Sequence, residues 1–145
     1  MNTKLVSIVM NCFNGEKYLT EALDSIYAQS YSNWEVIFWD NASTDNSSDI
    51  AHSYDKRIKY ILAPQTTSLG QARKQAITKI SGKYIAFLDC DDLYLPSKLE
   101  IQVKVMETCN YAMSYGSAYH INEVGKEIRI LTVKNKRGYV FIQLL

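Results

Sequence analysis

Three carboxylates, Asp89, Asp91 and Asp92, crowd a short stretch directly after the apolar run Tyr84-Ile-Ala-Phe-Leu88. Negative charges packed this closely repel one another unless something positive joins them. A divalent cation with oxygen ligands answers that need. Mg²⁺ or Mn²⁺ suits it best, because these ions keep coordination places for phosphate oxygens and water. An acidic loop that caps the following helix would use the same residues without any ion. The apolar run itself reads as a strand buried on both faces of a parallel sheet.

The elements that must position these carboxylates alternate along the chain. Val6-Ser-Ile-Val-Met10 is a short apolar run, and Asn-Cys-Phe-Asn-Gly15 breaks it. Tyr18, Leu19, Ala22, Leu23, Ile26 and Tyr27 recur at helical spacing, which predicts an amphipathic helix over Glu16 to Gln29. Trp34 to Trp39 is a second strand ending at Asp40, and the turn formers Asn41 to Ser47 lead into a short helix near Ser48 to Tyr54. Ile58 to Leu62 makes a third strand. Leu69, Ala72, Ala76, Ile77 and Ile80 share one helical face, stopped by Ser81-Gly82. After the fourth strand, Tyr84 to Leu88, Pro96 suits the first turn of a helix carrying Leu99, Val103 and Met106 on one face. Tyr111 to Ser117 reads as a fifth strand.

Strand and helix in strict alternation, with short connections, imply right-handed crossovers and a three-layer α/β/α domain with a mainly parallel, Rossmann-like sheet. The ends of strands one, two and four then carry Asn11 to Asn14, Asp40-Asn41 and Asp89 to Asp92. All three polar clusters gather at the C-terminal edge of the sheet, where such folds bind nucleotides. The opposite edge, with Glu35, Lys59 and Lys83, has no comparable concentration.

Composition bounds the rest. The 145 residues suit one domain, and 47% hydrophobic with 21% charged content is ordinary for a globular protein. Sixteen basic against fifteen acidic residues leave a net charge of +1, which offers nucleic acid no electrostatic footprint. No apolar run has the length of a membrane span, and nothing at the N-terminus has the form of a signal peptide. Cys12, Cys90 and Cys109 are too few and too scattered for a disulfide framework or a zinc site. The cytoplasm is the expected compartment.

Read together, Val6-Ser-Ile-Val-Met-Asn-Cys-Phe-Asn14, Tyr18 to Tyr31, Asp40-Asn-Ala-Ser-Thr-Asp45, Gly70-Gln-Ala-Arg73 and Gly82 to Asp92 with Pro96 to Glu100 resemble the family 2 glycosyltransferases of the GT-A type. The resemblance implies transfer of a sugar, normally with inversion, from a nucleotide-sugar donor to an acceptor hydroxyl. It implies an Asp-any-Asp motif at Asp89-Cys90-Asp91, with Asp91 on the metal and Asp89 on ribose or metal-bound water. It places Asn11, Phe13, Asn14, Asp40, Asn41 and Arg73 at the nucleotide. A UDP- or dTDP-sugar, a saccharide or lipid-linked acceptor, a role in polysaccharide synthesis and a peripheral position at the inner membrane face through pathway partners belong to the same expectation.

Departures from the family pattern leave alternatives open. Asn41 stands where an acid is frequent, so it both accepts and donates, and base preference is unsettled. Phe13 can stack on a base or serve the core. Asp40 can read a ribose or cap the turn at Ser43 to Asp45. Arg73 can face the nucleotide or pair with Asp40 or Asp89.

The resemblance also implies a second, acceptor-binding half that supplies the general base. The sequence ends in the apolar Tyr139 to Leu145, which reads as a donor-binding portion able to self-associate into a homo-oligomer. Glu123 is the remaining, weak candidate for the base. Two other readings are a nucleotide-binding fragment without transfer and a haloacid-dehalogenase-type phosphotransferase, which also has Asp-any-Asp after a strand. The latter requires a nucleophilic Asp near its first strand and a later Lys with further acids, whereas this chain has its acids on strand four and no later acidic pair.

Overall fold

The computed structural model describes residues 3–122 and 125–131. Glu123 and the segment Tyr139 to Leu145 lie outside the described residues. The chain divides into two compact units, Met1–Lys104 and Val105–Leu145.

The first unit is built on β1 (Val6–Cys12), β2 (Trp34–Asp40), β3 (Ile58–Leu62) and β4 (Tyr84–Phe87), in the spatial order β3-β2-β1-β4. Every pairing is parallel. β1 and β2 are buried along their whole length, as uninterrupted apolar runs require when both faces of a sheet are covered. One face meets α1 (Glu16–Tyr27) and α2 (Ser47–His52). There Ile8, Met10 and Cys12 pack with Leu19, Leu23, Ile26 and Phe38. Leu19, Ala22, Leu23 and Ile26 lie on a single helical stripe and are fully buried, which for each of the larger three is worth roughly 1.5–3 kcal/mol. The other face meets α3 (Leu69–Ile77), whose Ala72 and Ala76 sit against Val9, Ile37 and Trp39. Alanines at that seam let helix and sheet approach closely. The three-layer parallel architecture expected from the alternation is the one present.

β4 departs from expectation. Its apolar run predicts burial on both faces, yet Ile85 and Phe87 are 43% and 49% exposed. The cause is placement: among the described residues β4 is at an edge of the sheet, and α3 packs on β1 and β2 instead. α4 (Lys98–Cys109) begins where Gln29, buried at the end of α1, accepts the Leu99 N–H at 3.1 Å and donates to the Leu95 carbonyl at 2.8 Å. That side chain satisfies one of the orphan donors of the new helix.

At the N-terminal edge of the sheet, Glu35 is buried and accepts from Ser7 Oγ at 2.6 Å and from the Ser81 N–H at 2.9 Å. Lys59 completes the cluster at 2.5 Å. Burial alone would push the Glu35 carboxyl up, but Lys59, Ser7 and Ser81 outweigh it and hold the value at about 2. A β-carbon on Gly82 would lie 2.7 Å from the Leu5 carbonyl oxygen and the Ser7 nitrogen, so glycine lets the turn before β4 close on β1.

In the second unit, the strand predicted at Tyr111 to Ser117 is absent. The strand is β5 (Ala118–Ile121) instead, paired antiparallel with β6 (Glu127–Leu131). The hairpin sets the boundary: its register runs from Ala118, opposite Leu131, to Ile121, opposite Glu127.

Candidate nucleotide-sugar site

β1 and β2 end side by side, Cys12 opposite Asp40, and β4 runs on into the acidic loop on the other side of β1. Asn11 to Asn14, Asp40-Asn41 and Asp89 to Asp92 therefore share the C-terminal edge, as the alternation requires.

Two of these loops are laced together. Asn14 adopts φ 52°, a left-handed geometry that Asn tolerates better than most residues. Its N–H donates to Ser43 Oγ at 3.0 Å, and its Oδ1 accepts the Thr44 N–H at 2.8 Å. The Gly15 N–H donates to Ser47 Oγ, the Glu16 N–H to Asp45 Oδ2 and the Asn46 N–H to Glu16 Oε2, each at 2.9 Å. The first amides of α1 are thus taken by the neighbouring loop. Desolvation would raise the Asp45 carboxyl, but the bonds from Ser47 and Glu16 hold it below the usual range.

Asp40 is 1% exposed. Its Oδ1 accepts the Ser43 N–H at 2.7 Å, and its Oδ2 accepts the Tyr60 hydroxyl at 2.6 Å. Asn41 is equally engaged, donating to the Thr67 carbonyl at 2.8 Å and accepting the Thr67 N–H at 3.1 Å. Asn14, Asp40 and Asn41 are brought to the expected edge, and there the chain itself occupies their polar atoms. The capping of the Ser43 turn by Asp40 is the alternative the sequence offered, whereas sequence reasoning missed Tyr60 on β3 and Thr67 after it, for which no local pattern gave a signal.

Other groups face outward or stand unpartnered. Phe13 is 51% exposed in the β1–α1 turn. Asn11 is buried with neither amide atom hydrogen-bonded, and the Nε1 of Trp39, its register partner on β2, is also orphaned. Buried polar atoms seldom go unpaired, and neighbouring ones of this kind fit a place completed by a ligand or water.

Arg73, on α3, reaches the acidic loop and pairs with Asp89 Oδ1 at 2.6 Å, both side chains being partly exposed. Among the described residues, Asp91 and Asp92 receive no side-chain hydrogen bond or ion pair. Desolvation first, and then the charges of Asp91 and Asp89, push the Asp92 carboxyl up. Also among the described residues, no cluster of three or more His, Cys, Asp or Glu side chains could enclose a metal ion. The arrangement instead suits an ion held by one or two carboxylates that completes its shell with phosphate oxygens and water, as Mg²⁺ and Mn²⁺ do. Asp91, exposed and without a side-chain partner among the described residues, is the carboxylate left open to such an ion.

Cys90, within this loop, lies against Cys12. Its thiol is pushed well above the ordinary range by the hydrogen bond with Cys12, by burial and by the charge of Asp91, so of the two it is the one that keeps its proton. The Cys12 thiol is drawn down to about 7, chiefly by the same bond, against the opposing effect of burial.

Among the described residues no helix is long and apolar enough to cross a membrane. In comparisons with known proteins, the chain is 37% identical over its full length to an uncharacterized glycosyltransferase of Rickettsia conorii, of which it covers 24%. It is 36% identical, over 87% of its length, to the Escherichia coli UDP-Glc:alpha-D-GlcNAc-diphosphoundecaprenol beta-1,3-glucosyltransferase WfgD, of which it covers 51%. The chain thus spans between a quarter and a half of these relatives. The crystal structure of S. aureus TarS in complex with UDP-GlcNAc superposes with a TM-score of 0.69 at 26% identity, over 71% of this chain and 31% of that one. The family described as Glycosyl transferase family 2 matches residues 7–144, which leaves the haloacid-dehalogenase alternative without support. A match of that extent, on a fold shared with TarS, means that the chain belongs to glycosyltransferase family 2.

Proposed function

We propose that this chain is the donor-binding part of a metal-dependent glycosyltransferase. It takes a uridine or thymidine diphosphate sugar and passes the sugar, with inversion, to a hydroxyl on a saccharide or lipid-linked acceptor. The observation that carries the reading is the acidic loop: Asp91 open, and Asp89 held by Arg73 at 2.6 Å, at the ligand-binding edge of a parallel sheet. A relative whose name specifies UDP-Glc and a neighbour bound to UDP-GlcNAc support the choice of donor.

Asp91 and Asp89 would hold Mg²⁺ or Mn²⁺, which when bound offsets the negative charge gathering on the departing diphosphate. Only interactions that strengthen as that charge develops accelerate transfer. Arg73 fixes Asp89 in place and adds positive charge to the same edge. Phe13 presents a ring face on which a base can stack. Asn11 offers an unpaired donor and acceptor from the end of β1. The laced loops around Asn14 and Asp40 set the shape of the cleft.

A thermal-shift panel of nucleoside diphosphates, with and without Mn²⁺, tests the reading. UDP or dTDP with Mn²⁺ should raise Tm more than either component alone. No shift with any diphosphate in the presence of the metal would overturn it.

A further inference from the structure

We infer that Cys12 and Cys90 are an oxidation site that closes reversibly into a disulfide, pinning the acidic loop to the end of β1. The two residues are 78 positions apart in sequence, and the fold sets them side by side. β1 and β4 pair with Val9 opposite Phe87, and the Leu88 N–H carries the ladder one step further to the Val9 carbonyl at 3.2 Å. The ladder ends there, and the turn that follows brings Cys90 beside Cys12, both sulfurs lying within 3.0 Å of where a Gly15 β-carbon would stand. A disulfide spans roughly 4.4–6.8 Å between α-carbons, so residues that flank the end of one strand pair in this way are within its reach.

The side chains also point the same way. Cys12 belongs to the core cluster that holds Ile8 and Met10, and Cys90 packs against that cluster. Both sulfurs sit beneath Gly15: a β-carbon there would be 2.7 Å from Cys12 Sγ and 3.0 Å from Cys90 Sγ. Glycine at this turn leaves room for the pair. Cys12 is buried and Cys90 only half-buried, so a small oxidant arrives from the loop side.

The oxidant class is a peroxide. One sulfur attacks a peroxide oxygen, the O–O bond breaks, water leaves and a sulfenic acid remains. The second sulfur attacks the sulfenic sulfur, the S–O bond breaks, and the second thiol's proton departs with the hydroxyl as water. Two thiols and one hydrogen peroxide give one disulfide and two waters. A dithiol reductant reverses the change by thiol–disulfide exchange. Since Cys90 lies between Asp89 and Asp91, the bond would fix both carboxylates relative to the β1–α1 turn.

The test is peptide mapping of the whole chain without reduction, after stoichiometric hydrogen peroxide and alkylation. It reads covalent mass and is independent of nucleotide binding. The expected product is a peptide pair joining Cys12 to Cys90, lighter by two hydrogens, with exposed Cys109 alkylated as the remaining free thiol. Dithiothreitol should restore three alkylatable thiols. Cys90→Ser, checked as folded by circular dichroism, should abolish the linked pair. Cys12 and Cys90 recovered as free thiols while Cys109 is oxidised would overturn the inference. So would their recovery as separate sulfinic acids.

Discussion

The Arg73 guanidinium lies 2.6 Å from Asp89 Oδ1, joining the helix that covers one face of the sheet to the acidic loop beyond its edge strand. Both partners are about 40% exposed, so the pair contributes little to stability, on the order of 0–1 kcal/mol. Its consequence is positional. Arg73→Ala should leave the urea midpoint almost unchanged while weakening UDP binding in Mn²⁺ by on the order of 10- to 100-fold, the loss of one charge-assisted contact. Calorimetry alongside urea unfolding separates the two. A large stability loss with unchanged affinity would reverse the assignment.

Asn14 ties the β1–α1 turn to the loop after β2. Asn14→Ala loses the acceptor for the Thr44 N–H and places a less tolerant residue at φ 52°. A cost of about 1–2 kcal/mol is expected in urea unfolding. Asn14→Gly keeps the backbone geometry and loses only the acceptor, so its cost should be smaller. Equal costs would assign the whole effect to the hydrogen bond.

Glu35 sets a pH dependence far from the site. Its folded value, about 2, lies below the ordinary 4.5, so its contribution is complete above pH 4.5 and is lost as pH falls from 4.5 towards 2. A depression of that size corresponds to roughly 3 kcal/mol. Glu35→Gln should therefore be less stable than wild type at neutral pH, and the gap should narrow through that acid window. A gap independent of pH would show that packing, not charge, is what Glu35 supplies.

The sequence made the buried strands legible because β1 and β2 are apolar on both faces, and α1 because Leu19, Leu23 and Ile26 repeat at helical spacing. The edge position of β4 was not legible. An apolar run reports that a strand is attractive to a core, and the placement of α3 over β1 and β2 decided which core was available. Tyr111 to Ser117 misled for a similar reason, since strand identity rests on pairing, and the hairpin register starts at Ala118. At the site, residue types located the polar edge correctly but could not say which groups satisfy one another. Asp40 is held by Tyr60, twenty positions on, and no local pattern links the two.

The central claim is that Asp91 links nucleotide affinity to a divalent cation, and titration calorimetry of UDP with and without Mn²⁺ on wild type and Asp91→Asn tests it most directly. Asparagine keeps the shape of the side chain and removes one negative charge from an oxygen-ligand site. Wild type should bind UDP more tightly with Mn²⁺, and Asp91→Asn should bind it with the same weak affinity whether or not the metal is present. An identical Mn²⁺-linked gain in both proteins, or no gain in wild type, would contradict the account.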